Sequence, residues 1–397
     1  MTQKLYSRLK GKNITVAVTG GIAAYKTCEL VRLLVKSGAG VRVCMTEAAT
    51  QFVGPLTFEA LTGHRVVYGS ISGAMEHLEL SRDCDLLIVA PPANILAKAA
   101  HGIADDPVSS AILASSAPVA VCPAMNCNMW AKPATQRNVT QLKNDGIAVL
   151  GPADGELACG VSGAGRMIEP SEIAAHAARL LSPQTLAGKT VIVTAGPTYE
   201  ALDPVRGITN LSSGKQGYAI AQAAFEAGAR VVLISGPTAI EPPYGVELEH
   251  VRSADQMNEA VRKVAANADV FVSVAAVADW KAQAVSEGKI KKSDEPPQLR
   301  LTENPDILAQ IAHDFPSLYC VGFAAETENV LENARGKLVR KHARLIVANN
   351  ARSAIGSDLN DAVWLTAASE ESSGPVTKET LAHLIIGRIA ADLKKEA

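Results

Sequence analysis

The sequence predicts an α/β protein of two consecutive doubly wound domains, each with three layers around a largely parallel sheet. Three observations predict it. The chain has 397 residues, too long for one ordinary hydrophobic core. Short β-branched apolar runs alternate with segments of helical periodicity, the pattern of strands covered by helices on both faces. The pattern also restarts: ITVAVTG at 14–20 is echoed by TVIVTAG at 190–196, each a strand-like run ending in Thr and Gly.

In the first half, strands are predicted at 14–18, 41–45, 86–90 and 118–122. Helices are predicted at 22–37, 93–100, 107–115, 133–144 and 171–181. The stretch SPQTLAGK (182–189) carries Pro, Gly and polar residues and reads as a linker, which divides the chain into domains 1–183 and 184–397. The second series places strands at 190–196, 230–234, 270–274, 319–323 and 345–348, with helices between and a last helix at 376–394. Rossmann-like or flavodoxin-like topologies fit such a series, and they bind ligands at the carboxyl ends of the strands.

Composition narrows the function classes. A formal charge of -2 gives no reason to expect nucleic acid or an anionic membrane as partner. No apolar run approaches the roughly 20 residues that span a bilayer. The polar start MTQKLYSRLKGKN does not resemble a secretory signal, and seven cysteines without a CxxC pair read as reduced thiols. A cytoplasmic location is the expectation.

TGGIAAYK (19–26) joins a strand to a helix through two glycines, so it is either a phosphate-binding turn at a helix N-terminus or a plain tight turn. Thr46 and the segment Pro91, Pro92, Ala93 and Asn94 fall at the same sheet edge, where small or polar residues suit a flat ring and its phosphate. PAMNCNMW (123–130) puts Asn126 there too, either gripping a carboxylate or amide or capping the next helix. His77, in MEHLELS, is structural or catalytic. Cys159, in the glycine-rich loop ACGVSGAGRM, is the one thiol whose setting suggests reactivity.

In order and spacing, TGGIAAYK, His77, PAMNCNMW and ACGVSGAGRM resemble the homo-oligomeric flavin-containing cysteine decarboxylases, above all their phosphopantothenoylcysteine decarboxylase branch. The resemblance implies FMN as cofactor, held by Gly20, Gly21, Ile22, Ala23, Thr46, Ala93, Asn94 and Ser109. It implies that the substrate's cysteinyl thiol is oxidised to a thioaldehyde, that CO2 is lost to an enethiolate, and that Cys159 returns a proton. His77 would serve the decarboxylation half, and Asn126 would hold the substrate carboxylate or amide. The logic is sound: a simple carboxylate sheds CO2 only into an electron sink, which a flavin can create.

The second half supplies GITNLSSGKQGYAIA (207–221), a Gly, Ser and Lys run before a helix that lacks Walker spacing, so it is a phosphate loop of another type or a glycine-rich turn. Arg206 and Asn210 sit near the same edge. SVAAVADW (273–280) ends a buried strand at Asp279, which suits Mg2+, a nucleotide hydroxyl or a cap. The basic, Pro-containing segment 288–300 reads as a flap that orders on binding or as a solvated loop. Lys337 and Lys341, four residues apart on a predicted helix, face one way. Together TAGPT, DPVR, ITNLSSGKQG, AAVADW, GKIKK, ENPDIL and VGFAAET resemble the phosphopantothenate–cysteine ligase domain.

That second resemblance implies a bifunctional bacterial enzyme with the decarboxylase first. Its ligase half would join 4'-phosphopantothenate to L-cysteine, using CTP and Mg2+, through an acyl-cytidylate. Lys289 would stabilise the α-phosphate, Asn210 would hold the acyl intermediate, and Arg206 would contact substrate. Ser273, Val274, Ala275, Asp279, Asn304, Pro305, Asp306, Ile307, Phe323, Lys337 and Lys341 would surround CTP, with Asp279 toward the metal. Trimers of the first domain, arranged in a dodecamer, and dimers of the second are implied as well. A flavin-binding regulatory subunit is the rival from another class, and the Cys159 loop counts against it. The lack of GxGxxG counts against a nicotinamide dehydrogenase.

Overall fold

The computed structural model describes residues 6–69, 80–158, 160–292, 298–350 and 357–396. The chain divides into two compact units, Met1–Ser182 and Pro183–Ala397.

In the first unit, strands β1 (Asn13–Val18), β2 (Gly40–Met45), β3 (Leu86–Ala90), β4 (Val119–Val121) and β5 (Ala148–Val149) pair in parallel in the order β2-β1-β3-β4-β5. The predicted strands all form, and β1, β3 and β4 are apolar because helices cover both faces. Ala17, Leu87, Val89 and Val121 point to one face, where they meet α3 (Ala93–His101), α4 (Pro107–Ala114) and α6 (Pro133–Asn144). On the other side α1 (Ala24–Lys36) packs against α2 (Pro55–Thr62) and α7 (Pro170–Leu180). A five-residue helix, α5 (Cys127–Ala131), follows β4.

One expectation fails here. The glycine-rich loop 158–167 contains a strand, β7 (Ser162–Arg166), which forms an antiparallel hairpin with β6 (Ala153–Glu156). Its run SGAGR has no β-branched residue to announce it, because its role is close approach: a Cβ at Gly165 would stand 2.3 Å from the Met125 carbonyl oxygen.

In the second unit, the sheet order is β12-β11-β8-β13-β16-β17-β18-β19. Strands β8 (Thr190–Ala195), β11 (Arg230–Ser235), β12 (Glu247–His250), β13 (Val270–Ser273), β16 (Tyr319–Glu326) and β17 (Leu345–Asn350) are parallel. Strands β18 (Leu359–Leu365) and β19 (Glu370–Thr377) continue it antiparallel. Alternate residues of the central strands feed two cores. Val191, Val193, Val270 and Val272 pack with α8 (Lys215–Glu226) and α12 (Lys378–Glu396), whereas Ile192 and Phe271 pack with α9 (Ala254–Ala265), α10 (Ile307–Asp314) and α11 (Val330–Arg340). Two short hairpins, β9 (Tyr199–Ala201) with β10 (Gly207–Thr209) and β14 (Trp280–Ala282) with β15 (Leu301–Glu303), stand apart from the sheet.

One helix expectation needs correction: the last helix starts at Lys378, not 376, because residues 370–377 pair as β19. Lys341 is the C-cap of α11 and its N–H donates to the Lys337 carbonyl at 3.0 Å, so the two lysines lie one turn apart at the end of the helix.

Two outcomes follow from the cores. Phe271 is fully buried, so Phe271→Ala is expected to lower the stability of the second unit by about 3–5 kcal/mol in denaturant melts. Burial pushes the Cys44 and Cys320 thiols up to about 12, and drives Cys122 upward as well. At pH 8 a maleimide is therefore expected to leave these three unlabelled in the native protein and to label them in denaturant, as read by peptide mass.

Candidate active sites at the carboxyl ends of two parallel sheets

In the first unit the chain leaves β1 toward β2 and later returns to β3 on the opposite side of β1, so a crevice opens at the carboxyl ends of β1 and β3. Thr19 Oγ1 donates to the Ala90 carbonyl and ties the two strand ends together. Residues 20–23 then turn into α1. Among the described residues their four N–H groups find no protein acceptor. A Cβ on Gly21 would meet nothing within 4 Å, which leaves the backbone open to close approach. Main-chain donors at the mouth of a 13-residue helix make an anion cradle.

A cavity of about 730 Å3 adjoins this cradle, lined by Gly21, Ile22, Ala23, Pro92, Met125 and Asn126 and by residues 156–158 and 165–167 of the β6–β7 hairpin region. Asn126 is the N-cap of α5, and its Oδ1 accepts from Asn128 N at 2.8 Å, so the capping role expected for it is real, and it faces the cavity as well. The hairpin is fastened beside it: Met125 N donates to the Gly165 carbonyl at 2.9 Å. A charged lattice missed by sequence reasoning holds the other wall. The nearly buried Lys26 donates to the Met167 carbonyl (3.2 Å) and to Glu169 Oε1 (2.9 Å), which also receives Arg166 Nη2 at 2.9 Å. Lys26 closes the TGGIAAYK motif, and that was the available signal.

Other expected flavin contacts lie outside the lining of this cavity. Thr46 caps a 3-10 turn by accepting from Ala49 N. Ser109 is buried in a capping box, its Oγ accepting from the N–H groups of Asp105 and Asp106 at 3.2 and 3.1 Å. Ala93 and the exposed Asn94 open α3. Gly20 sits at the cradle itself. His77 and Cys159 lie outside the described residues.

In the second unit, the corresponding reversal lies between β8 and β13. A cavity of about 360 Å3 opens there, lined by Gly196, Asn210, residues 211–217, Val274, Ala276, Phe323, Ala325, Asn349, Asn360 and Lys378. The ITNLSSGKQG run thus becomes a wall, with Lys215 at the first turn of α8. Gly217 allows that helix its place: a Cβ there would stand 2.6 Å from the Ala195 Cβ. Asn210 Nδ2 donates to the Ala276 carbonyl at 3.0 Å, across the crevice. Lys215 pairs with the exposed Asp358 at 2.6 Å. Burial, and then the nearby Lys215 ammonium, push the Lys378 ammonium below the ordinary lysine range, with Asp358 opposing. Two ammonium groups crowded at one cavity favour an anionic ligand.

Of the expected nucleotide residues, Val274 and Phe323 line this cavity, and the others lie outside its lining. The N–H groups of Val274 and Ala275 both point at Thr194 Oγ1 (3.2 and 3.3 Å), which pins the turn that follows Ser273. Asn304 N donates to the Asp279 carbonyl and its Nδ2 to the Ala278 carbonyl, each at 2.8 Å, while its Oδ1 is buried without a partner among the described residues. Pro305 leads into Asp306, which caps α10 and pairs with Lys341 at 3.2 Å; Ile307 is buried in the core. Lys337 pairs with Glu326 at 3.0 Å. The Asp279 carboxylate is exposed, and no cluster of three or more metal-ligating side chains occurs among the described residues. Lys289 is exposed, and Arg206 Nη2 donates to the neighbouring Ile290 carbonyl at 2.9 Å. Lys378, Asn349 and Asn360 were not foreseen, because the β18–β19 hairpin that assembles them was not.

Comparison with known proteins matches residues 2–182 to the Flavoprotein family and residues 186–393 to the DNA/pantothenate metabolism flavoprotein C-terminal domain. A coenzyme A biosynthesis bifunctional protein from Vibrio cholerae is 46% identical over 391 residues, covering 95% of this chain and 98% of its own. The protein of the same name from Bacillus subtilis is 44% identical, covering 89% of this chain and 90% of its own, and that from Mycobacterium tuberculosis 45%, covering 96% and 97%. Among solved structures, the C-terminal domain of a coenzyme A biosynthesis bifunctional protein is 38% identical, with a TM-score of 0.47, covering 53% of this chain and 99% of that one. With both halves matched in one order across nearly the whole chain, the protein belongs to the family of coenzyme A biosynthesis bifunctional proteins, CoaBC.

Proposed function

We propose that the second unit joins L-cysteine to 4'-phosphopantothenate at the expense of CTP, and that the first decarboxylates the resulting 4'-phosphopantothenoylcysteine with FMN. Membership of the family makes the chain a bifunctional enzyme of coenzyme A biosynthesis, with ligase and decarboxylase activities. The observation that carries the fuller reading is the pair of cavities, each at the reversal point of its own parallel sheet and each lined by residues at a helix N-terminus.

In the decarboxylase unit, the N–H groups of residues 20–23 would hold the FMN phosphate, and the cavity beside Ile22 and Met125 would take the ring. FMN supplies the reversible two-electron oxidation that gives the departing carboxylate an electron sink. Asn126 would bind the substrate carboxylate or amide at the cavity wall. His77 would serve the decarboxylation half, and Cys159 would hand a proton to the product carbon.

In the ligase unit, the carboxylate of 4'-phosphopantothenate would attack the α-phosphate of CTP and release pyrophosphate, and the cysteine amine would then displace CMP. Negative charge grows on phosphoryl oxygens in both steps, so cations and N–H donors dominate. Lys289 would stabilise the α-phosphate, Asn210 the acyl intermediate, and Arg206 the substrate. Lys215 and Lys378 add positive potential, and the ledge of Asp279, Asn304 and Asp306 would receive the rest of the nucleotide. One exposed carboxylate suits Mg2+ bound mainly through substrate phosphates. The proposal includes a cytoplasmic homo-oligomer, built from trimers of the first domain and dimers of the second.

Incubation with 4'-phosphopantothenate, cysteine, CTP and Mg2+, followed by mass, tests this. The protein is expected to yield 4'-phosphopantetheine. Lys289→Gln is expected to slow amide formation by about 100-fold or more, and Cys159→Ser to stall after loss of CO2. Decarboxylation of added phosphopantothenoylcysteine without any consumption of CTP would sink the ligase half of the proposal.

A further inference from the structure

The β14–β15 hairpin emits a basic arm whose described portion includes residues 283–292, with Lys289 exposed on it. An exposed lysine on an irregular segment has a defined position only if the backbone beneath it is held. Here it is held on both sides of Lys289, and by one turn, residues 202–206. Ser286 N donates to the Leu202 carbonyl at 3.0 Å. Ile290 N donates to Asp203 Oδ2 at 3.0 Å, and the Ile290 carbonyl accepts from Arg206 Nη2 at 2.9 Å. Between these points the Ser286 hydroxyl donates to the Gly288 carbonyl at 2.7 Å and tightens the arm just before Lys289.

Asp203 is the hub of this arrangement. It is 1% exposed, and its two carboxylate oxygens have separate jobs. Oδ1 closes its own turn by accepting from Val205 N (2.7 Å) and Arg206 N (2.8 Å), while Oδ2 reaches out to the arm. Burial alone would raise the carboxyl group. The N–H donors of Val205, Ile290 and Arg206, with the Arg206 guanidinium, outweigh burial and hold it below the ordinary aspartate range. Asp203 is therefore an acceptor at both oxygens at neutral pH. No other side chain as short offers two acceptors with no donor.

We propose that Asp203 is a positioning residue for the ligase reaction: through Ile290 it fixes the backbone that presents Lys289 to the nucleotide phosphates. The proposal rests on the role given to Lys289 above. Misplacing a phosphate-stabilising group by about 1 Å is enough to cost orders of magnitude in rate.

Asp203→Asn separates the two jobs. The amide oxygen can still close the turn, but an NH2 group then faces the Ile290 N–H, donor against donor. Pyrophosphate release from CTP in the presence of 4'-phosphopantothenate is expected to fall about 10- to 100-fold, with the decarboxylase rate of the same chain unchanged. Because the effect runs through Lys289, the double variant Asp203→Asn/Lys289→Gln is expected to be no slower than Lys289→Gln alone. Losses that multiply in the double variant, or an Asp203→Asn enzyme as fast as the parent, overturn the positioning role. If Lys289→Gln itself releases pyrophosphate at the parental rate, the reading of Lys289 fails instead. The unmodified protein gives an independent check: the Ile290 amide is expected to exchange with solvent at least about tenfold more slowly than a free amide, and exchange at the free rate would overturn the proposal.

Discussion

Both candidate sites depend on one constraint, the reversal of connection direction within a parallel sheet. When successive crossovers leave a central strand toward opposite edges, no loop covers the carboxyl ends at the point of reversal, and the first turn of a helix faces the gap. β1 and β3 create this in the first unit, β8 and β13 in the second. Buried strands hold each gap open: Val16, Val18, Ile88, Val193 and Val272 are at most 1% exposed. A threonine at the edge of each gap fixes its width, Thr19 by bonding across to Ala90 and Thr194 by receiving the N–H groups of Val274 and Ala275. The repeated Thr and Gly endings of the two strand motifs are thus the same device used twice.

Around each gap the polar groups are held rather than left to find their positions. Lys26, Glu169 and Arg166 lock the segment that leads away from the hairpin in the first unit. In the second, Asn349 donates to Asn360 at 3.0 Å and Gln216 Nε2 donates to the Lys378 carbonyl at 3.1 Å, so the edge hairpin, the phosphate-type loop and the last helix share one network. Networks of this kind cost entropy once, at folding, and spare it when a ligand arrives.

The central strands were legible because burial on both faces demands continuous β-branched runs, and ITVAV, LLIVA, RVVLI and LIVA supply them. The edges were not. β18, LNDAVWL, mixes polar and apolar residues as it alternates between exposed and buried positions, and β19, EESSGPVT, is polar and includes a proline, as befits a strand at the sheet's edge. Losing that hairpin hid Asn360 and Lys378 and displaced the start of the last helix by two residues. SGAGR was unreadable for the opposite reason: it has no β-branched residue, and at Gly165 no side chain fits because the backbone of residues 125–127 lies too close. Asn126 and the loop 20–23 were found with both of their alternatives intact, since capping and ligand contact ask for the same residue types. The glycine-rich setting of Cys159 marked it as a reactive thiol, but its role as proton donor, like the roles given to His77 and Lys289, came from resemblance.

The cradle at residues 20–23 is made of peptide groups, and this bears on how the protein can change. A recognition surface built from side chains can be edited one codon at a time. One built from main-chain donors is nearly silent to substitution, since every residue except proline offers the same N–H. Its open letter is Gly21, where an added carbon would meet no protein atom within 4 Å and would project into open space beside the four N–H groups. An inhibitor anchored on those four N–H groups would therefore meet little room for escape at its anchor. Variants that excluded it by bulk would exclude an anion bound there too, and resistance would have to be sought in the walls farther along the cavity, at Met125 or Met129.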